Sequence, residues 1–160
     1  MNEIMKPENL ELVDTIILNG IVGMCTTYDE NYETIGIKSV CEIPTFQGKI
    51  IKTESDGFPL TKKMEDKLGW GKYCASVRMV TGSTPIDPTK VEETIIECFE
   101  GDAKGEYYHR YSDYTGYLWT EENFIVGGHD IPNILRSHMD EYIHMEIELY
   151  KQKTKLIKNI

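Results

Sequence analysis

No stretch of this chain approaches the roughly 18 consecutive apolar residues needed to cross a bilayer. The apolar run Ile16 to Met24 (IILNGIVGM) is short, is interrupted by Asn19 and Gly20, and is preceded by acidic rather than basic residues, so neither a signal peptide nor an anchor is expected. The four cysteines, Cys25, Cys41, Cys74 and Cys98, are far apart and form no C-x-x-C pair. That argues against a zinc ribbon or a thioredoxin-type motif and predicts reduced, mostly buried thiols in a cytoplasmic protein. The loops G-x-x-x-x-G-K-S/T and G-x-G-x-x-G, the G-x-S-x-G elbow and the H-E-x-x-H helix are all missing, and with them the common nucleotide, hydrolase and zinc-protease signatures. Gly69-Trp70-Gly71-Lys72 has the residue types of a phosphate loop but too few of them for several backbone amides to converge, and it reads as a turn.

Positive charge is also scarce. The chain of 160 residues has 27 acidic and 17 basic side chains, a net of −10, which argues against a general affinity for nucleic acid or anionic lipid. The imbalance is uneven. Asp87 to Glu148 holds 15 acidic residues against four basic, a net of −11, whereas Pro44 to Ile86 carries a net of +3. An electrostatically two-sided molecule is expected.

What is present suits one α+β domain over residues 1–150, an antiparallel or mixed sheet with two or three short helices, followed by a basic tail over 151–160. Met1 to Leu12 has no helix or strand period and reads as loosely held; Val13 to Met24 fits a buried helix or a strand equally. Ile35 to Cys41 and Lys49 to Thr53 read as a pair of strands around Pro44 to Gly48. Leu60, Met64 and Leu68 recur every four residues, with Thr61 placed as amino-terminal cap and Gly69 as stop, which predicts a short amphipathic helix. Tyr73 to Thr81 alternates as a strand. Asp87-Pro88 ahead of Val91, Ile95 and Phe99 predicts a helix over Lys90 to Glu100; the competing strand reading makes Gly101 to Gly105 a hairpin turn. Glu106 to Tyr111 and Tyr117 to Thr120 flank a turn, Asp130 and Pro132 start a short helix, and Ile143, Met145, Ile147 and Leu149 alternate with His144, Glu146, Glu148 and Tyr150 in a last strand with one core face and one solvent face.

Three groups of residues invite a functional reading. Tyr107, Tyr108, Tyr111, Tyr114, Tyr117 and Trp119 are the densest unusual feature, and rigid amphipathic rings suit a partner-binding surface as well as they suit ordinary cross-strand packing. His109, His129, Asp130 and His144 offer imidazole and carboxylate groups for a metal, but without the short pairs that shared ligation usually shows, and an Asp after a His is also what helix capping produces. Glu146 and Glu148 share a strand face with His144, a spacing compatible with acid–base work or with a solvated polar face.

Asp113 to Thr120 (DYTGYLWT), Val126 to Asp130 (VGGHD) and Tyr142 to Ile147 (YIHMEI) resemble the carboxy-terminal part of small uncharacterised bacterial and bacteriophage proteins, over about residues 112–148. The resemblance implies a mobile-element or prophage setting and brings no activity and no site residues. With the acidity and the tyrosines, it leads to the expectation of a non-catalytic acidic binding protein without cofactor, an inhibitor of a host nucleic-acid-binding or defence protein. Its partner would be a basic or nucleic-acid-binding protein rather than nucleic acid or a membrane, with homo-oligomers left open. The alternatives are a small metal-assisted hydrolase or nucleotide-processing enzyme using His109, His129, Asp130, His144 and Glu146, and a phage structural or assembly protein.

Overall fold

The computed structural model describes residues 9–26, 33–39, 43–51, 58–68, 71–111 and 118–152. In chain order the elements are β1 (Leu10–Thr26), β2 (Glu33–Ser39), β3 (Ile43–Pro44), β4 (Ile50–Ile51), β5 (Phe58–Pro59), α1 (Leu60–Leu68), β6 (Tyr73–Gly82), 3-10 turns at Pro88–Lys90 and Glu93–Ile95, β7 (Glu97–Tyr111), β8 (Leu118–Val126), β9 (His129–Asp130), α2 (Ile131–Arg136) and β10 (Tyr142–Gln152). Eight strands form one antiparallel sheet in the order β5-β2-β1-β10-β6-β7-β8-β9, and β3 and β4 pair separately as a hairpin. Among the described residues the antiparallel sheet and the two short helices agree with expectation, but the structure is mostly sheet and so not clearly the α+β class expected.

The last strand lies in the middle. β10 pairs with β1 on one side and β6 on the other, so Leu18, Met145 and Met79 share one rung and Ile16, Ile147 and Val77 another. These side chains are all buried, and they line the inner face together with Val22, Ile35, Ile37, Ile143 and Leu149. The alternation read in β6 and β10 is the alternation found. Helix α1 fills this inner face, burying Leu60, Met64 and Leu68, each side chain contributing on the order of 2 kcal/mol. Its far end is tied to β1 by Lys67 Nζ and Asp14 Oδ2, 2.7 Å apart. α2 packs against β8 and β2.

Several expectations are corrected. Of the two readings of Val13 to Met24 the strand is the one found, but it is a 17-residue strand that already includes Leu10 to Leu12, expected to be loosely held, with a register shift between Leu12 and Asp14 that leaves Val13 as the extra residue of a bulge. Ile35 and Ile37 do lie on a strand, but β2 pairs with β1 and β5, whereas β4 pairs with β3. The helix over Lys90 to Glu100 does not form. Asp87 accepts the Thr89 amide as a cap should, but the turn closes after Lys90 and Val91 is already extended. β-branched Val91, Thr94, Ile95 and Ile96 hold a helix poorly, and from Glu97 onward the chain gains a ladder to β6 that seats Phe99 opposite Val77. Gly101 to Gly105 is no hairpin either, since it runs within β7. Thr61 is buried inside α1 rather than capping it. Lys151 and Gln152, expected in the tail, are the end of β10.

Two glycine positions let these elements approach. A Cβ on Gly105 would lie 2.9 Å from Glu65 N and 3.0 Å from Met64 C, so β7 and α1 meet backbone to side-chain-free backbone. At the end of β8, Gly127 has φ of 56° and its Cα would be 2.6 Å from a Cβ on Gly101, a close crossing sealed by Gly127 N–H donating to Asp102 O. Gly105→Ala is expected to push α1 off the sheet and lower unfolding free energy by about 1–3 kcal/mol in urea titration; a loss within about 0.5 kcal/mol would show that α1 yields freely.

Candidate functional site

Expected to be a solvent face, the outer side of the central strands is instead covered over part of its length. Asn19 on β1 stands opposite His144 on β10, and Glu146, two residues on, stands between Ile17 and Arg78. Asn19 Nδ2 donates to the Ile86 carbonyl at 2.9 Å and to His144 Nδ1 at 3.1 Å. Turning the amide over would point its oxygen at the Ile86 carbonyl, so the donor assignment is fixed, and Nδ1 must accept. His144 Nε2–H then donates to Glu146 Oε2 at 2.8 Å, and the same carboxylate oxygen accepts the Phe46 backbone N–H.

Phe46 belongs to the turn between β3 and β4. Its ring meets the His144 ring edge-on at 4.6 Å, and the Arg78 guanidinium carbon lies 5.0 Å from its centroid. The turn is stiffened from within by Thr45, whose hydroxyl accepts the Gln47 and Lys49 amides. His144 is consequently 0% exposed, and the Glu146 side chain 12%. Both imidazole nitrogens are engaged inside the fold, so this chain of groups pins the hairpin to the sheet.

Farther along the same face, carboxylates dominate. Glu100, Asp102 and Glu106 occupy alternate, exposed positions of β7, and Glu148 of β10 is separated from Glu100 by Ser76 alone. Lys104, between Asp102 and Glu106, reaches Glu106 at 4.0 Å. Two weak acids register these surroundings. The Tyr150 phenol is pushed up to about 12 by burial, by donating to Glu148 at 2.9 Å, and by the charges of Glu148 and Glu100. The Cys74 thiol is pushed up to about 11 by burial and by the charge and hydrogen bond of Asp102.

Two cavities open here. One of about 560 Å³, at the ends of β6 and β10, is lined by Tyr73, Cys74, Asp102, Lys104 and Ile125 among others. The second, of about 410 Å³, is lined by Phe46, Gln47, Arg78, Val91, Glu93 and Ile96.

The remaining candidates are dispersed. His129 is exposed, with its ring 4.9 Å from Phe99; Asp130 caps α2 by accepting the Asn133 amide at 3.3 Å; His138 Nδ1 is 2.7 Å from Glu141 Oε2. The His109 side chain lies outside the described set. Among the described residues no three His, Cys, Asp or Glu side chains are placed to hold a metal ion. Of the aromatic group, Tyr107, Tyr108 and Tyr111 are placed by backbone on β7 and Trp119 on β8, facing Glu122, Glu121, Leu118 and Arg110 in the register. Tyr114 and Tyr117 lie outside the described residues. Asn19, Phe46 and Arg78 escaped sequence reading, because each is an ordinary residue until the ladder and the hairpin bring them together.

No protein-family model matches the chain, and no curated protein or solved structure is significantly similar to it.

Two measurements check this geometry. Glu146→Ala leaves the His144 Nε2–H and the Phe46 amide without their acceptor, which is expected to cost on the order of 3 kcal/mol and to speed hydrogen exchange at Phe46 to Lys49; unchanged exchange there would show that the hairpin is held by something else. The raised Cys74 thiol gives a signed pH dependence. Between its ordinary 9.0 and about 11 the folded chain keeps a proton that the unfolded chain has lost, so stability is full below about pH 9 and declines as pH rises toward 11. Under reducing conditions Cys74→Ala should flatten that decline in urea midpoints, and an unaltered slope would assign it to other groups.

Proposed function

We propose that the chain is a non-catalytic acidic binding protein that engages a basic, nucleic-acid-binding protein through the carboxylate-bearing outer face and the adjoining aromatic segment of β7 and β8. One observation carries this reading. Glu100, Asp102 and Glu106 are exposed on the strand that continues without interruption into Tyr107, Tyr108 and Tyr111. Negative potential and aromatic positions therefore follow one another along one piece of backbone.

The physical logic has two parts. Carboxylates within a Debye length of about 8 Å add their fields, which speeds encounter with a basic partner and disfavours nucleic acid itself. The raised Tyr150 and Cys74 acids support the reading, since besides burial the charges of Glu148 and Glu100 raise the first and that of Asp102 raises the second. Tyrosine and tryptophan then supply contact area at small cost in side-chain freedom. Taken with the resemblance to bacteriophage proteins, the concrete form is a cytoplasmic inhibitor that occupies the nucleic-acid-binding surface of a host protein involved in nucleic-acid handling or defence.

The test compares the native chain with the charge-reversed variant Glu100→Lys/Asp102→Lys/Glu106→Lys, both confirmed folded by circular dichroism, as immobilised bait in bacterial lysate. A basic nucleic-acid-binding protein should be retained by the native chain at low salt, weakened at raised salt, and lost with the variant. Retention of no such protein, or equal retention by both baits, counts against the reading.

A further inference from the structure

The two sides of the β7–β8 hairpin end at different places. β6 pairs with β7 from Glu97 to Ala103 and no farther, so from Lys104 to Tyr111 the ladder of β7 is to β8 alone among the described strands. On the opposite side β9 meets β8 only at Ile125 and Val126. Lys104–Tyr111 and Leu118–Phe124 thus form a two-stranded ribbon that continues the eight-stranded sheet by about 25 Å. α2 contacts β8 but supplies it no ladder partner. Among the described residues, the outer edge of β8 from Leu118 to Phe124 has no strand beside it.

Such an edge is usually blunted. Natural sheets shorten exposed edges, bulge them, or place lysine and proline on them, because unpaired backbone N–H and C=O groups recruit further strands. Leu118 to Val126 (LWTEENFIV) has no lysine, no proline and no glycine. It is also long for an edge, and α1, which packs against β7 and β8, adds no ladder partner to it.

The residues on this edge select what that strand can be. Glu121 and Glu122 are its only charged residues. Antiparallel pairing of two copies of the chain along this edge would bring carboxylate-bearing positions opposite one another, an arrangement that destabilises a ladder. A strand carrying lysine or arginine at alternate positions gains where the second copy loses. We infer that the outer edge of β8, Leu118–Phe124, is a strand-addition site for an extended basic segment of the partner protein, an inference that rests on the acidic-binding reading and specifies how the contact is made. Affinity would come from main-chain hydrogen bonds and selectivity from charge.

The experiment uses the intact chain and three labelled probes: an alternating Lys/Val decapeptide, the same peptide N-methylated at alternate residues so that one edge loses its donors, and an alternating Glu/Val decapeptide. Fluorescence anisotropy should show binding of the Lys/Val peptide, about tenfold or more weaker binding of the N-methylated form, and none of the Glu/Val form. Hydrogen exchange with the Lys/Val peptide bound should protect amides within Leu118–Phe124. In Glu121→Lys/Glu122→Lys, checked for fold by circular dichroism, preference for the basic peptide should be lost. Equal binding of the parent and N-methylated peptides would overturn strand addition while leaving the acidic-face reading standing. A native dimer in light scattering that excludes the Lys/Val peptide would overturn it in favour of self-pairing. Retention of a basic protein by the lysate bait together with no protection on β8 would overturn it as well.

Discussion

The pairing of β1 with β10 on one side, and of β10 with β6 on the other, holds the molecule together. Remove β10 and the sheet falls into β5-β2-β1 and β6-β7-β8-β9, each with an open edge where the core should be. The elements in contact are therefore separated by most of the chain: Leu18 meets Met145, and Asn19 meets His144. Loop closure on that scale precedes the gain from pairing, which places this fold among slowly assembling, high-contact-order topologies. The outer-face network of Asn19, His144, Glu146 and Arg78 is carried by these same three strands.

Each face of the central strands solves a different problem. The inner one is apolar and is closed by α1, whose approach over β7 is possible because Gly105 has no side chain. The outer one carries polar groups from neighbouring strands and is closed locally by a turn no longer than a few residues. His144 and Glu146 satisfy that turn with hydrogen bonds rather than apolar burial, so a polar strand face becomes a seat for Phe46. Beyond the turn, burial together with the carboxylates of Glu148 and Glu100 raises Tyr150, and burial together with Asp102 raises Cys74.

How legible this was depends on whether the signal was local. β6, β10 and α1 announce themselves through period and burial, and Asp130-x-Pro132 marks α2 through its cap, because those patterns are set by residues close in sequence. The segment Asp87 to Glu100 misleads for the same reason: its cap and proline do start a turn, but β6 supplies a stronger claim on Glu97 onward than a further helical turn can offer. The face of His144 was illegible in principle. Alternation says that a side chain leaves the core side of a strand; it cannot say that a hairpin about 100 residues away in sequence returns to cover it. Likewise the aromatic cluster was visible as composition, whereas its position on a ribbon that outruns β6 is a property of the register alone.

The crossing of Gly101 and Gly127 lies short of that ribbon, where β7 is still paired with β6. Farther on, from Lys104, β7 leaves the ladder with β6 and continues with β8, and α1 packs there against Gly105. Because a Cβ on Gly101 would fall 2.6 Å from Gly127 Cα, the two backbones cross this closely only while neither position carries a side chain. A side chain at either position would force β7 and the turn after β8 apart, so this seam of the sheet is closed by what the two residues lack.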